Sequence, residues 1–241
     1  MDPDQPIWTR IPEGWTAAPE ALLGHAKVRA LATLSAEGYV PAVDRLMGYY
    51  EYDSDSDRAG VSFADLPPTS PADITVADLH ATGLILAESL GPRATRRLLN
   101  DGPDRTEVLD SLRALPDTEL LVAGPDTLRS METFHLAVQT KVSSPRGTSH
   151  ESWETASKLC ARKRPQLFPV RDRTVCAYLG LTPSGGQRID WQVFRYLIGE
   201  SEIIRAIGEL LDAVRYRNKR VWTDSSRLRI LDVAIWTYMN Q

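Results

Sequence analysis

From Thr75 almost to the C-terminus the apolar residues recur three or four positions apart, and strand-like alternation is nearly absent. A chain patterned this way can hide its apolar side chains only between packed helices, because no two-residue period develops to make a sheet face. Thr75-Val-Ala-Asp78 opens the run as a capping box with Asp in the place of Glu. Pro92 suits the first turn of a helix carrying Ala94, Leu98 and Leu99. Further helices are predicted over residues 107–115, 126–141, 152–164, 173–179 with Gly180 as the stop, 190–198, 200–217 and 226–239. Eight or more helices follow, with Trp191, Phe194, Leu197, Ile198 and then Leu228, Leu231, Val233, Ile235 and Trp236 at core spacing.

Ahead of this run, residues 20–36 place Leu22, Leu23, Ala26, Ala30, Leu31 and Leu34 at helical spacing, with Gly38 after them as a stop. Tyr49, Tyr50 and Tyr52 follow, an aromatic group that reads either as half-buried packing or as a stacking surface. Residues 53–74 contain Asp53-Ser-Asp-Ser-Asp57 and Pro67-Pro68-Thr-Ser-Pro71, which predict an exposed loop or linker. The Asp spacing is not a calcium loop, since Arg58 and Ala64 stand where that loop needs Gly and Glu. The division this gives is an N-terminal helix and acidic, Pro-rich loop over residues 1–74, packed on a continuous helical domain over residues 75–241.

Composition excludes several classes. No apolar run approaches the roughly 18–20 residues of a membrane span, and the acidic start, Met1-Asp2-Pro3-Asp4, lacks the layout of a secretory signal, so a cytoplasmic location is expected. Cys160 and Cys176 are too few for a disulfide framework, an all-cysteine zinc site or an iron–sulfur cluster, and read as small buried hydrophobes. His25, His80, His135 and His150 form no i, i+4 pair. No metal, no other cofactor and no membrane partner is predicted. The net charge of −4 conceals a polarity: residues 1–145 hold 12 Lys and Arg against 22 Asp and Glu, whereas residues 146–241 hold 16 against 10. A basic second part can face a polyanion while the acidic part sets orientation, or the surface is merely uneven.

The basic character is concentrated in residues 152–180, a short helix, a Pro-bounded extended link, and Asp172 at the head of the next helix. Lys158, Arg162, Lys163, Arg164, Arg171 and Arg173 fall within 16 residues. Such a cluster can neutralise phosphates and predicts salt-sensitive binding of nucleic acid. Asp172 is placed to accept from the free backbone N–H groups of the helix it heads. A second basic block comprises Arg215, Arg217, Lys219, Arg220, Arg227 and Arg229 around Trp222. It reads either as a phosphate-holding surface or as a charged turn over the core.

Glu154-Thr155-Ala156, followed 18 residues after Glu154 by Asp172 within Val170-Arg-Asp-Arg-Thr-Val175, resembles the signature of the helix-hairpin-helix DNA glycosylase superfamily. The resemblance implies an all-α, glycosylase-like helical domain with an extra N-terminal helical segment and a degenerate helix-hairpin-helix near residues 148–180. It implies duplex DNA as the partner and Asp172 as the carboxylate that helps activate water and opposes positive charge on the deoxyribose of a flipped-out nucleotide. Glu154, the second catalytic candidate, stands where bifunctional members carry a nucleophilic Lys, and a carboxylate forms no Schiff base, so a strand-cleaving lyase is not expected. Lys158, Arg162, Lys163, Arg164, Arg171, Arg173, Arg217 and Arg220 would contact the nucleic acid. The chain departs from the pattern at the hairpin, where His150-Glu151-Ser152 replaces Gly-x-Gly, and after Asp172, where Arg173 and Thr174 replace Thr and His. A longer stretch, from Thr75 onward and including Thr155-Ala-Ser-Lys-Leu159 and Ala161-Arg-Lys-Arg-Pro165, is similar to an uncharacterised family of actinobacterial proteins, which assigns no function.

Three readings follow: a monofunctional glycosylase-like hydrolase, a DNA-binding module that has lost catalysis and keeps Asp172 as a cap, and a helical protein-interaction domain that binds no nucleic acid.

Overall fold

The computed structural model describes residues 7–35, 40–51, 60–85, 90–143, 149–181, 186–219, 221 and 223–240. Gly38, Tyr52, the Asp53–Asp57 repeat, Arg220 and Trp222 lie outside the described residues. Among those described, the chain forms twelve α-helices and two short 3-10 helices and no strand. The α-helices are α1 (Glu20–Leu34), α2 (Ala42–Tyr49), α3 (Gly60–Asp65), α4 (Val76–Leu84), α5 (Pro92–Leu99), α6 (Pro103–Arg113), α7 (Pro125–Val142), α8 (Ser149–Lys163), α9 (Arg173–Tyr178), α10 (Gln187–Gly199), α11 (Ser201–Arg217) and α12 (Arg227–Met239). The helical periodicity of the sequence is therefore realised along the chain, and the predicted ends fall within a few residues of those formed.

Local chemistry sets several of these ends. Thr75 caps α4 as the sequence indicates: its side chain accepts from the Asp78 backbone N–H, and Asp78 Oδ2 accepts in return from the Thr75 N–H at 2.9 Å. Pro92, Pro103 and Pro125 each occupy the first turn of a helix, where the missing N–H would have no partner anyway. At the far end of α9 Gly180 adopts φ +77°, and the Gly180 and Leu181 N–H groups donate to the carbonyls of Ala177 and Cys176. This six-residue closure satisfies two end carbonyls and needs a residue without Cβ.

α1 packs against α10, α11 and α12, α2 lies against α11 and α12, and α5, α6 and α7 pack together. α8 lies along α7 and against α4, while α9 rests on α12. One apolar core runs through all of these elements. Trp191 of α10 stands near its centre, with the rings of Trp15, His135 and Phe168 at 6.2, 5.7 and 5.6 Å. The core positions expected in α10 and α12 are buried with one exception: Trp236 is 40% exposed, its ring packed at an edge against Tyr49. α12 is covered around nearly its whole circumference from Leu228 to Ile235, and only at its end does one side reach solvent. Tyr49 and Tyr50 are packing residues, both buried, and Cys160 and Cys176 are buried free thiols that burial pushes well up in pKa.

The Pro-rich stretch differs from its expectation. α3 forms inside it, and carbonyls from Phe63 to Pro71 are held by side chains at the end of α8 and by Arg164 just past it. Arg162 donates to Phe63 O at 2.6 Å and to Leu66 O, Lys163 to Ser70 O at 2.6 Å, and Arg164 to Pro71 O at 2.7 Å. An irregular segment with no ladder of its own thus has its backbone acceptors satisfied by three consecutive cations.

Asp78 neutralises two of them. Its Oδ1 accepts from Arg162 Nε at 3.2 Å and its Oδ2 from Lys163 Nζ at 2.8 Å, all three groups being buried. Replacing Asp78 by Ala should lower stability by about 3–5 kcal/mol, because it strands two buried cations. The same change at exposed Asp212, which pairs with Arg215 at 3.5 Å, should stay within about 0.5 kcal/mol. Urea unfolding of the two variants beside the native chain measures the contrast.

Candidate functional site

The segment that carries the sequence signature is built from the foot of α8, a link that turns over residues 165–167 and then runs extended to residue 172, and α9. His150, Glu151 and Ser152, the positions expected to form a hairpin, belong to the first turn of α8. The link is pinned along its length. Val170 N donates to Asp232 Oδ2 of α12 at 2.8 Å. The Arg171 guanidinium turns inward, donating from Nε to Asp190 Oδ2 at 2.8 Å and from Nη1 to Ser157 Oγ at 3.0 Å, and lies over the Trp153 ring at 4.8 Å. Asp172, with the extended φ of −130°, then heads α9, and its Oδ1 accepts from Val175 N at 2.8 Å. The expected N-cap is formed as the sequence indicates.

Two faces of this construction differ sharply. Inward lies a buried polar network of Arg171, Asp190, Ser157 and His135, whose Nε2 is 3.2 Å from Ser157 Oγ. Burial, with the Arg171 charge beside it, holds His135 down at about 3, so its ring is neutral. Ser157 and His135 have the spacing of a nucleophile and its base, but at 2% and 1% exposure they are covered by core residues. The arrangement satisfies the Arg171 donors and serves packing.

Toward the outside, α8 and the head of α9 bring together Glu154, Lys158, Asp172 and Arg173. Glu154 and Lys158 are one turn apart on α8, and Arg173 pairs with Glu154 at 3.5 Å. Lys158 is buried, and its Nζ donates to Ile85 O, just past α4, at 2.8 Å. Burial pulls its ammonium below the ordinary range while Asp172 and Glu154 oppose that shift, which places both carboxylates within electrostatic reach of the amine. Asp172 is itself 7% exposed. A buried amine and a nearly buried carboxylate in one corner, the second held by a cap and the first by a carbonyl, form the strongest concentration of reactive groups that the signature residues make.

The cations expected to hold nucleic acid are distributed unequally. Lys158, Arg162, Lys163 and Arg171 are buried, with the internal partners given above, and Arg164 is half-buried against Pro71 O. Arg173 and Arg217 are exposed, Arg217 pairing with Asp44 of α2. Arg220 lies outside the described residues. Periodicity could not reveal this inward turn, because a cation at a buried position follows from what faces it on other elements.

Sequence reasoning passed over Asp232. It is buried in α12 beside Arg229, which stacks on Phe63 at 4.5 Å and donates to the Tyr49 hydroxyl at 3.2 Å. An Arg and an Asp three residues apart, set among Leu228, Ile230, Leu231 and Val233, was the available signal. Burial raises the Asp232 carboxyl to about 8 against the pull of Arg229 and of the Val170 N–H. The folded form thus binds a proton more readily than the unfolded chain, and that contribution to stability is complete below about pH 4 and lost as pH rises to about 8. Asp232→Asn keeps an acceptor for Val170. Relative to the native chain its stability should therefore climb between pH 4 and 8.5 by an amount on the order of a few kcal/mol. Urea unfolding across that range tests this, and a difference independent of pH would refute it.

Among the described residues no group of three or more His, Cys, Asp or Glu is placed to hold a metal ion, and no helix is long and apolar enough to cross a membrane. Comparison with curated proteins and with solved structures gives no match. Residues 42–239, from the first residue of α2 to the last of α12, match a family described as "Family of unknown function (DUF6308)". That span takes in the Asp78 clamp, the Asp172 corner and the Asp232 anchor, and the chain belongs to this family.

Proposed function

We propose that this protein associates with DNA and acts, in the manner of the monofunctional helix-hairpin-helix glycosylases that its signature resembles, on a nucleotide turned out of the duplex. The observation that carries the reading is the meeting of Asp172, at the head of α9, with Glu154 and Lys158 of α8 in one largely buried corner. A carboxylate fixed at a helix head, with little water around it, opposes positive charge developing on a deoxyribose and orients a water for attack. Glu154, paired to Arg173, sets the charge of the corner, and the reading is hydrolytic because position 154 offers no amine for an imine and the one amine of the corner, Lys158, is buried and held by Ile85 O. Phosphate contacts fall to exposed cations, Arg173 first, since Arg162, Lys163 and Arg171 are engaged inside the protein.

That internal engagement favours a second reading, a helical interaction domain that binds no nucleic acid and in which Asp172 is a cap alone.

Fluorescence anisotropy of duplex DNA with and without a central abasic-site analogue, at two salt concentrations, separates the two. The first reading expects tighter, salt-sensitive binding to the abasic duplex, weakened several-fold by Arg173→Glu. In a base-release assay it expects Asp172→Asn to lose activity while unfolding within about 0.5 kcal/mol of the native chain, because Asn caps a helix as well as Asp. Absence of binding to either duplex at low salt would leave the interaction domain. A charge-reversed Arg162, Lys163, Arg164 variant would report on folding instead, since those side chains hold residues 63–71.

A further inference from the structure

The surplus of positive charge in the second part of the chain is not at the signature segment, where most of the cations are buried. Part of it comes to the surface at the end of α11. There Arg215-Tyr216-Arg217 closes the helix, and Asn218 and Lys219 follow. Tyr216 is 90% exposed, the most exposed large apolar residue among those described. Its position explains the exposure: Ile203, Ile207, Leu210 and Val214 make the buried stripe of α11, and a residue two beyond Val214 points to the opposite side. One step on either side of Tyr216 around the helix stand Arg215 and Arg217, whose side chains are 66% and 48% exposed.

Each arginine has one exposed acidic partner, Asp212 for Arg215 and Asp44 for Arg217, and Lys219 has no ion pair among the described residues. Exposed pairs of this kind contribute little, so a phosphate can displace the carboxylates. The helix C-terminus is reason enough for cations there, but not for an aromatic ring held out between them.

We infer that the end of α11, with Tyr216 as a stacking platform and Arg215, Arg217 and Lys219 around it, is a contact surface for single-stranded nucleic acid. A ring in this position meets a base face only where the base is unstacked, which a continuous duplex does not offer. An anionic membrane fits less well, since a single aromatic brings little apolar area and none of the other exposed large apolar residues belongs to α11. The inference rests on the proposed function only in taking nucleic acid as the partner; it makes no use of the Asp172 corner.

The test is anisotropy of a labelled oligothymidylate, beside the abasic duplex and beside vesicles of phosphatidylserine and phosphatidylcholine, with the native chain, Tyr216→Ala, Tyr216→Phe and the double variant Arg215→Glu, Lys219→Glu. Circular dichroism confirms that each variant is folded, as expected at exposed positions. Tyr216→Ala should weaken single-strand binding about tenfold while Tyr216→Phe, which keeps the ring, stays within about twofold of native. The double variant should bind more weakly and show a shallower dependence on salt, by about 0.7 in log–log slope for each phosphate it no longer neutralises. Single-strand binding that ignores Tyr216, or Tyr216-dependent binding to vesicles without oligonucleotide binding, overturns the inference. Native binding to the abasic duplex but not to the single strand removes this surface and leaves the proposed function standing. Binding to neither nucleic acid removes both.

Discussion

Two oxygen atoms on Asp78 join three parts of the molecule. They close the capping box that starts α4, and they neutralise Arg162 and Lys163, whose remaining donors hold the carbonyls of residues 63–70. Without that carboxylate two of the cations that hold the segment between α3 and α4 would be buried uncompensated. The cost of taking these charges out of water is offset only because nearly every donor finds an oxygen. Much the same logic recurs at Arg171, between Asp190, Ser157 and the face of Trp153, and at Arg229, between Asp224, Tyr49 and Phe63. Buried cations, each satisfied from two or three elements, are this fold's way of fixing segments that have no regular hydrogen bonding of their own.

This arrangement bears directly on function. A cluster of six cations in 16 residues would normally be read as a polyanion surface. Here the inward-facing members are structural, and of the six only Arg173 is exposed, with Arg164 half-buried. The link that carries Asp172 is held from below by Asp232 and Asp190 through Val170 and Arg171, which fixes the carboxylate in place; under the proposed function that is the rigid support a reactive group requires. Positive charge available to solvent in the second part of the chain includes Arg173 and the end of α11, where Arg217 meets Asp44 of the acidic first part.

Local features were legible in the sequence because their causes are local. The capping box at Thr75, the prolines that open α5, α6 and α7, the Asp172 cap and the Gly180 stop all depend on residues within one turn of one another. The helix ends were accordingly recoverable to within a few residues. α2 and α3 were not, both being short helices outside the strongly periodic runs, α2 supported by α11 and α12 and α3 from α4 and α8. Trp236 was misjudged for a related reason: helical spacing tells which residues share a face, but not where along the helix the neighbouring elements stop.

The sequence by itself determined an all-helical chain, its punctuation, and the motif in which an extended link delivers Asp172 to a helix head. Only the tertiary structure decided which of the charged residues are free. Whether a lysine or arginine points to solvent or to the core depends on the carboxylates and carbonyls that other elements bring to it, from Asp78 to Arg162 across 84 residues and from Asp232 to Val170 across 62. Those distances in sequence carry no periodic signal. The electrostatics of burial, which makes an unpaired charge costly and a well-partnered one acceptable, is a property of the assembled fold.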